Sequence, residues 1–187
     1  MSDTVRAPAF MDDEIMAPRS HVQREQAFQK VAVVFIRAVV KPPMFVTATV
    51  NENEMTDNAR ARAKARGMVA GLYDLYAAQG GWGKSCWLEL KWGKNKPSDA
   101  QNNVGAALDA CGIPRGYAWS IHQILEHLRA AGFALHGGAD VLAQEYQARA
   151  EAAVRKAELR AASPYKPSKS RPRSRFTPRG SRRGALL

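Results

Sequence analysis

"GLYDLYAAQGGWGKSCWLELKW", residues 71–92, is the stretch whose reading decides the fold. Gly80, Gly81 and Gly83 separate two runs in which side chains alternate in character, the pattern of an antiparallel hairpin with a glycine tip. With Gly81 and Trp82 as a two-residue turn, opposed residues have numbers that sum to 163, and Asp74 faces Glu89. Opposed residues share a face of the sheet, with Cβ atoms about 5 Å apart. Asp74, Tyr76 and Ala78 then lie with Ser85, Trp87, Glu89 and Lys91 on one face. Tyr73, Leu75 and Ala77 join Cys86, Leu88 and Leu90 on an apolar one.

Two carboxylates so placed repel: at an effective dielectric near 20, two full charges 4 Å apart cost about 4 kcal/mol. A proton, the Lys91 ammonium or a divalent cation would neutralise them. Oxygen-only ligands suit Mg²⁺ or Mn²⁺ rather than zinc. Mg²⁺ keeps several waters, which leaves room for a phosphate oxygen and a nucleophilic water, and Lys91 on the same face would hold that water or stabilise charge on phosphorus. Those are the parts that phosphodiester hydrolysis needs. The competing reading is a solvated salt bridge between Glu89 and Lys91 on an exposed strand, and the spacing leaves both open.

Around the hairpin, the 187-residue chain suits one domain with tails. Its net charge is +11, and the segment 162–187 holds eight of the cations and no acid: Lys166, Lys169, Arg171, Arg173, Arg175, Arg179, Arg182 and Arg183. The remainder carries only +3. Four prolines and several serines among those charges make 162–187 a disordered basic tail, suited to an acidic polymer, nucleic acid ahead of membrane. Cys86 and Cys111 are too isolated for a disulfide framework or a zinc site, which fits a reduced, cytoplasmic protein. His122 and His127 are five apart, off one helical face, and lack cysteine companions. No apolar run approaches the roughly 20 residues that span a bilayer, and the acidic start does not resemble a signal peptide.

Elsewhere the pattern gives a loose arm over 1–19 and a helix capped by Ser20, with Gln23 three residues on, running to Pro42 and Pro43 with Phe28, Val31, Phe35 and Val39 in its core stripe. A strand follows over 44–50, then a turn, then the exposed basic "ARARAKAR" with Arg60, Arg62, Lys64 and Arg66. Beyond the hairpin lies a basic loop with Lys94 and Lys96. Ser98 caps a helix that Gly112 closes, a strand covers 116–121, and a helix follows it. An alanine-rich helix over 139–161 has a thin stripe of Val141, Leu142, Tyr146 and Val154. It packs weakly, as a dimer contact or a solvent-exposed extension. The order predicts a mixed α/β fold with one central sheet flanked by helices.

Asp74 followed by Glu89, Leu90 and Lys91 is similar to the PD-(D/E)xK nuclease signature. The longer pattern resembles the virus-type replication-repair (VRR-NUC) branch: Glu25 in the first helix, "VNE" at 50–52, "ARGMVAGLYDL" leading to Asp74, "WLELK", and "KPSDAQ" ending in Gln101. The likeness covers roughly 20–133, within a nuclease-like domain at 20–138. It implies a restriction-endonuclease-like core in which Asp74 and Glu89 are metal ligands, the Leu90 carbonyl adds an oxygen, and Lys91 is the catalytic lysine. Glu25 reaches the metal or one of its waters, and Gln101 sits near the site. The proline common before the aspartate is Tyr73 here. The implied activity is Mg²⁺- or Mn²⁺-dependent DNA cleavage by a homodimer, selective for branched or flapped DNA, in phage or bacterial replication, recombination or repair. A non-catalytic DNA-binding protein and a sequence-specific restriction-like enzyme are the other two readings.

Overall fold

The computed structural model describes residues 17–49, 56–80 and 84–162. The start of the expected arm, the "VNE" segment, the two-residue turn at Gly81 and Trp82, and the tail with its eight cations lie outside the described residues. In chain order the elements are α1 (Ala17–Val39), β1 (Met44–Ala48), α2 (Asp57–Ala65), β2 (Leu75–Gln79), β3 (Ser85–Leu90), α3 (Asp99–Ala110), β4 (Arg115–Ala118), α4 (Ile121–Ala130) and α5 (Ala139–Ala162).

The sheet runs β1-β2-β3-β4, antiparallel across the first two pairs and parallel at the third. Leu75 pairs with Leu88, Tyr76 with Trp87, Ala77 with Cys86 and Ala78 with Ser85, the expected register throughout. Leu75, Ala77, Cys86, Leu88, Leu90 and Ala118 present one apolar face, which α1 and α4 cover, with α5 packed on those two helices. Gln79 is the buried polar residue of that face. Its amide donates to the Lys41 and Ala134 carbonyls at 2.7 and 3.0 Å and accepts from Ala134 N–H at 2.7 Å, so the strand end is tied to two connections without an orphan group.

Several boundaries differ from expectation. Helix α1 starts three residues before Ser20, which therefore does not cap it; Pro18 is tolerated in the first turn, where the missing N–H has no intrahelical partner to lose. Strand β1 ends at Ala48 rather than at Val50, and Thr49 carries its register one rung further, its N–H donating to the Asp74 carbonyl at 2.9 Å and its hydroxyl to that of Tyr73 at 2.8 Å. Strand β4 stops at Ala118 because the Ser120 hydroxyl accepts the Gln123 N–H at 3.2 Å and opens α4, which takes Ile121.

The larger correction concerns α5. Its buried residues are Ala139, Ala143, Tyr146, Ala150 and Val154, spaced 4, 3, 4 and 4, and they lie along α1, while Val141 is 62% exposed. The helix packs closely rather than weakly, because alanines let two backbones approach and Tyr146 closes on Phe35 with ring centroids 5.6 Å apart. Overpacking this seam should be costly: Ala143→Leu is expected to destabilise the protein by about 1–3 kcal/mol, whereas Val141→Ala should stay within about 0.5 kcal/mol. Urea titrations of both variants measure the difference; equal midpoints would contradict the α1–α5 seam.

Candidate active site

Asp74 sits one residue ahead of β2. Its carbonyl accepts from Thr49 N–H at 2.9 Å and from the Gln29 side chain at 3.3 Å, which fixes the backbone from both sides. Its carboxylate Oδ2 accepts the Leu90 N–H at 2.9 Å, so a side chain takes the place of a ladder rung at the mouth of the hairpin. The approach to Asp74 needs glycine at 71: φ is +76°, and a Cβ there would lie 2.6 Å from the Ala100 carbonyl carbon. The chain thereby rests on the first turn of α3.

Across the hairpin, Glu89 is 1% and Lys91 7% exposed. That burial rules out the solvated salt bridge. Lys91 Nζ lies 2.8 Å from Glu89 Oε1, and the Gln101 amide donates to the same oxygen. Gln101 can do this because it is the third residue of α3. Its own oxygen accepts the Ser98 N–H at 2.8 Å while Ser98 Oγ accepts the Gln101 N–H, a capping box that holds the amide in one orientation and turns its NH₂ toward Glu89. The second carboxylate oxygen, Glu89 Oε2, is buried with no hydrogen-bond partner.

The electrostatics follow from burial. The Asp74 carboxyl is pushed up to about 6, mainly by desolvation, against the opposing pull of the Leu90 N–H and Lys91. Glu89 is pushed up to about 7 by desolvation and then by the Asp74 charge, with Lys91 opposing. Glu25 adds repulsion to both. Its carboxylate is held by the Asn95 side chain at 2.9 Å, and the Asn95 carbonyl accepts from Trp119 Nε1 at 2.9 Å, so Glu25 is anchored to the loop after β3 at the edge of the site.

Asp74, Glu89, Lys91 and Gln101 thus come together, with Glu25 beside them. Among the described residues no three His, Cys, Asp or Glu side chains form a group able to hold a metal ion. The acidic donors are two. Residues Gln29 and Asn95 also position the site and were not anticipated; Gln29 lies one helical turn after Glu25 on the same face, which is the signal that could have found it. Tyr73 corrects another expectation. It is fully buried but leaves the apolar face, because strand alternation begins only at Leu75: its ring lies 5.4 Å from Tyr117, the neighbour of Glu89 across β3 and β4, and its hydroxyl accepts from Arg115 at 3.1 Å.

The predicted basic surfaces are partly visible. Arg62, Lys64 and Arg66 are exposed on or beside α2, and Lys94 and Lys96 are exposed in the loop after β3. Arg60 is half-buried and bonds Asp57 at 3.4 Å. Because Ala48 pairs with Leu75, the excursion containing α2 leaves and re-enters the sheet beside Asp74. No helix among the described residues is long and apolar enough to cross a membrane.

No family model matches this chain, and no solved structure matches it. Over 66 residues it is 35% identical to the large ribosomal subunit protein bL9 of Rhodospirillum centenum, in an alignment that covers 35% of either chain. The chain spans about a third of that curated relative's length.

The raised carboxyls make a signed prediction for stability. Unfolded, Asp and Glu titrate near 4. In the folded, metal-free protein both hold their protons to higher pH, so their contribution is fully present below about 4 and is lost as pH rises through about 6 to 7. Thermal melts in chelator should therefore fall between pH 5 and 8, with a flatter profile in Asp74→Asn, which removes one charge and keeps an acceptor for the Leu90 N–H. Parallel profiles would show that the pair is not coupled.

Proposed function

We propose that this protein is a metal-dependent nuclease that hydrolyses DNA phosphodiester bonds, with selection by DNA structure rather than base sequence. The observation that carries the reading is the buried set at the open end of the hairpin: Asp74 and Glu89 with elevated proton affinity, Glu89 Oε2 lacking a partner, and one ammonium, Lys91, against them. A buried carboxylate oxygen without a donor is costly. The oxygen-only donors suit Mg²⁺ or Mn²⁺, and an ion that keeps most of its waters needs few protein ligands. Asp74, Glu89 and the Leu90 carbonyl would hold it, with Glu25 reaching the ion or one of its waters from α1. When bound, such an ion supplies Lewis-acid activation of the phosphate and of a water.

The chain's own contributions follow from its contacts. Gln101 and Lys91 fix the Glu89 carboxylate, and the Leu90 N–H fixes that of Asp74, so neither reorganises when substrate arrives. Lys91 Nζ, already desolvated, offers positive charge to the developing negative charge on the phosphoryl oxygens. A helix, three antiparallel strands with α2 inserted between the first two, a helix and a fourth strand parallel to the third support a PD-(D/E)xK core, since this order sets both acidic positions at one end of neighbouring strands.

A second reading, a nucleic-acid-binding protein without catalysis, draws support from the partial likeness to a ribosomal protein and from the net charge of +11. Plasmid nicking with and without Mg²⁺ or Mn²⁺ separates the two. Asp74→Asn, Glu89→Gln and Lys91→Met, each close in shape to the residue replaced, should cut by about a hundredfold less or worse, and Glu25→Gln should be milder. Nicking by Glu89→Gln at the parent rate would sink the assignment. Millimolar Mn²⁺ should also raise the melting temperature of the parent and not of Asp74→Asn, because only the native state gathers both carboxylates.

A further inference from the structure

The face of the sheet that carries Asp74 and Glu89 continues away from them as a row of aromatic rings. Tyr76 lies two residues beyond Asp74 and Trp87 two before Glu89, directly paired, with ring centroids 4.8 Å apart at 49°. On the edge strand Thr47 pairs with Tyr76 and Phe45 with Ala78, which sets Phe45 diagonal to Tyr76, roughly 7–8 Å away by ordinary sheet geometry. Phe45 is 57% exposed, Thr47 is exposed, and Tyr76, Ala78, Ser85 and Trp87 are only half-buried. Among the described helices α3 packs on this side, over β4. Tyr117 of β4 shares this face but lies under α3, where its hydroxyl donates to the Gln101 carbonyl, and Leu75, Leu88 and Leu90 lie in the core on the opposite face.

Three rings on an open sheet face, beside acidic residues that would cut phosphodiesters, call for a partner that is flat, apolar on its faces and anionic at its edges. The connection that enters the sheet beside Asp74 bears Arg62, Lys64 and Arg66 in exposed positions, so positive charge lies on the segment that leads into the site. A base has a π-face for Phe45, Tyr76 or Trp87 and a phosphate for the cations. In a duplex the base faces are hidden, and only phosphates and groove edges remain to be contacted. We infer that Phe45, Tyr76 and Trp87 form a stacking platform for unpaired bases of single-stranded DNA, leading that strand toward Asp74 and Glu89. This rests on the nuclease reading for its purpose and not for its existence.

The test is binding of the full-length protein, in EDTA, to a labelled oligothymidine strand and to a blunt duplex of equal length, followed by fluorescence anisotropy. Phe45→Ala should weaken single-strand binding by about tenfold and leave duplex binding within about twofold, the scale of losing one base–aromatic stack. Phe45→Leu, which keeps an apolar group without a ring, should behave like Phe45→Ala, and Phe45→Trp should restore affinity. Phe45 is exposed on an edge strand, so these variants are expected to fold. Unchanged single-strand affinity in both Phe45→Ala and Phe45→Leu overturns the platform. So does a shift from dimer to monomer on sedimentation with single-strand and duplex binding falling alike, because Phe45 would then be a contact between copies. Absence of Mg²⁺-dependent nicking with the Phe45 effect intact removes the nuclease reading and leaves the platform standing; nicking with no Phe45 effect does the reverse.

Discussion

A slip of one residue between β2 and β3 would turn Glu89 and Lys91 into the core beneath α1 and bring Leu88 and Leu90 under α3, because side chains change face at every residue. The register prevents this by burying Leu75, Ala77, Cys86, Leu88 and Leu90 together on the side that α1 and α4 cover. The apolar face chooses the pairing, and the pairing then has no freedom over what lies on the other side. Asp74 and Glu89 are brought together by hydrophobic burial that takes place on the far face of the sheet. Their repulsion is a consequence of that burial, met by Lys91, by the Leu90 N–H and by elevated proton affinity.

Helix α3 supplies the second constraint. A glutamine at the third position of a helix ordinarily completes a capping box and has no further role. Here the box uses the oxygen of Gln101 and leaves its NH₂ for Glu89, so the residue that starts the helix also fixes the carboxylate. Gly71 leaning on Ala100 closes the arrangement from the β2 side. Helix start, strand entry and acidic pair are therefore one unit, and a change at any of the three disturbs the other two.

How far this was legible in the residues depends on how local each signal is. The glycine tip and the alternation on either side suffice to give the register, since the pairing runs without a bulge from Leu75–Leu88 to Ala78–Ser85. The Ser98 cap and the exposure of Arg62, Lys64 and Arg66 were equally readable. The burial of Glu89 and Lys91 was not, because it depends on where α3 lands, and nothing in "WLELK" carries that information. The α1–α5 seam was hidden for a different reason: alanine contributes little to an apolar stripe, and it is the absence of bulk at Ala139, Ala143 and Ala150 that lets the helices meet. Tyr73 misled because alternation was extended two residues beyond the strand. Asn95 sits in a loop, where no periodicity announces a partner seventy positions away in the chain.

The two halves of the Asp74 face bear on each other through solvent. The end beneath α3 is closed, and that closure raises the carboxylates' hold on protons and strengthens every charge they meet. The end toward β1 is open, so its rings keep apolar area in contact with water, and an adsorbed partner that covers them gains by removing it. Covering both ends with helix would leave the rings in a core and no route for a polymer to the acids. Covering neither would solvate Glu89 and Lys91 and return them to an ordinary surface ion pair worth little. A single short helix placed over β4 alone, as α3 is, keeps the acid pair desolvated while a chain can still reach it along the sheet.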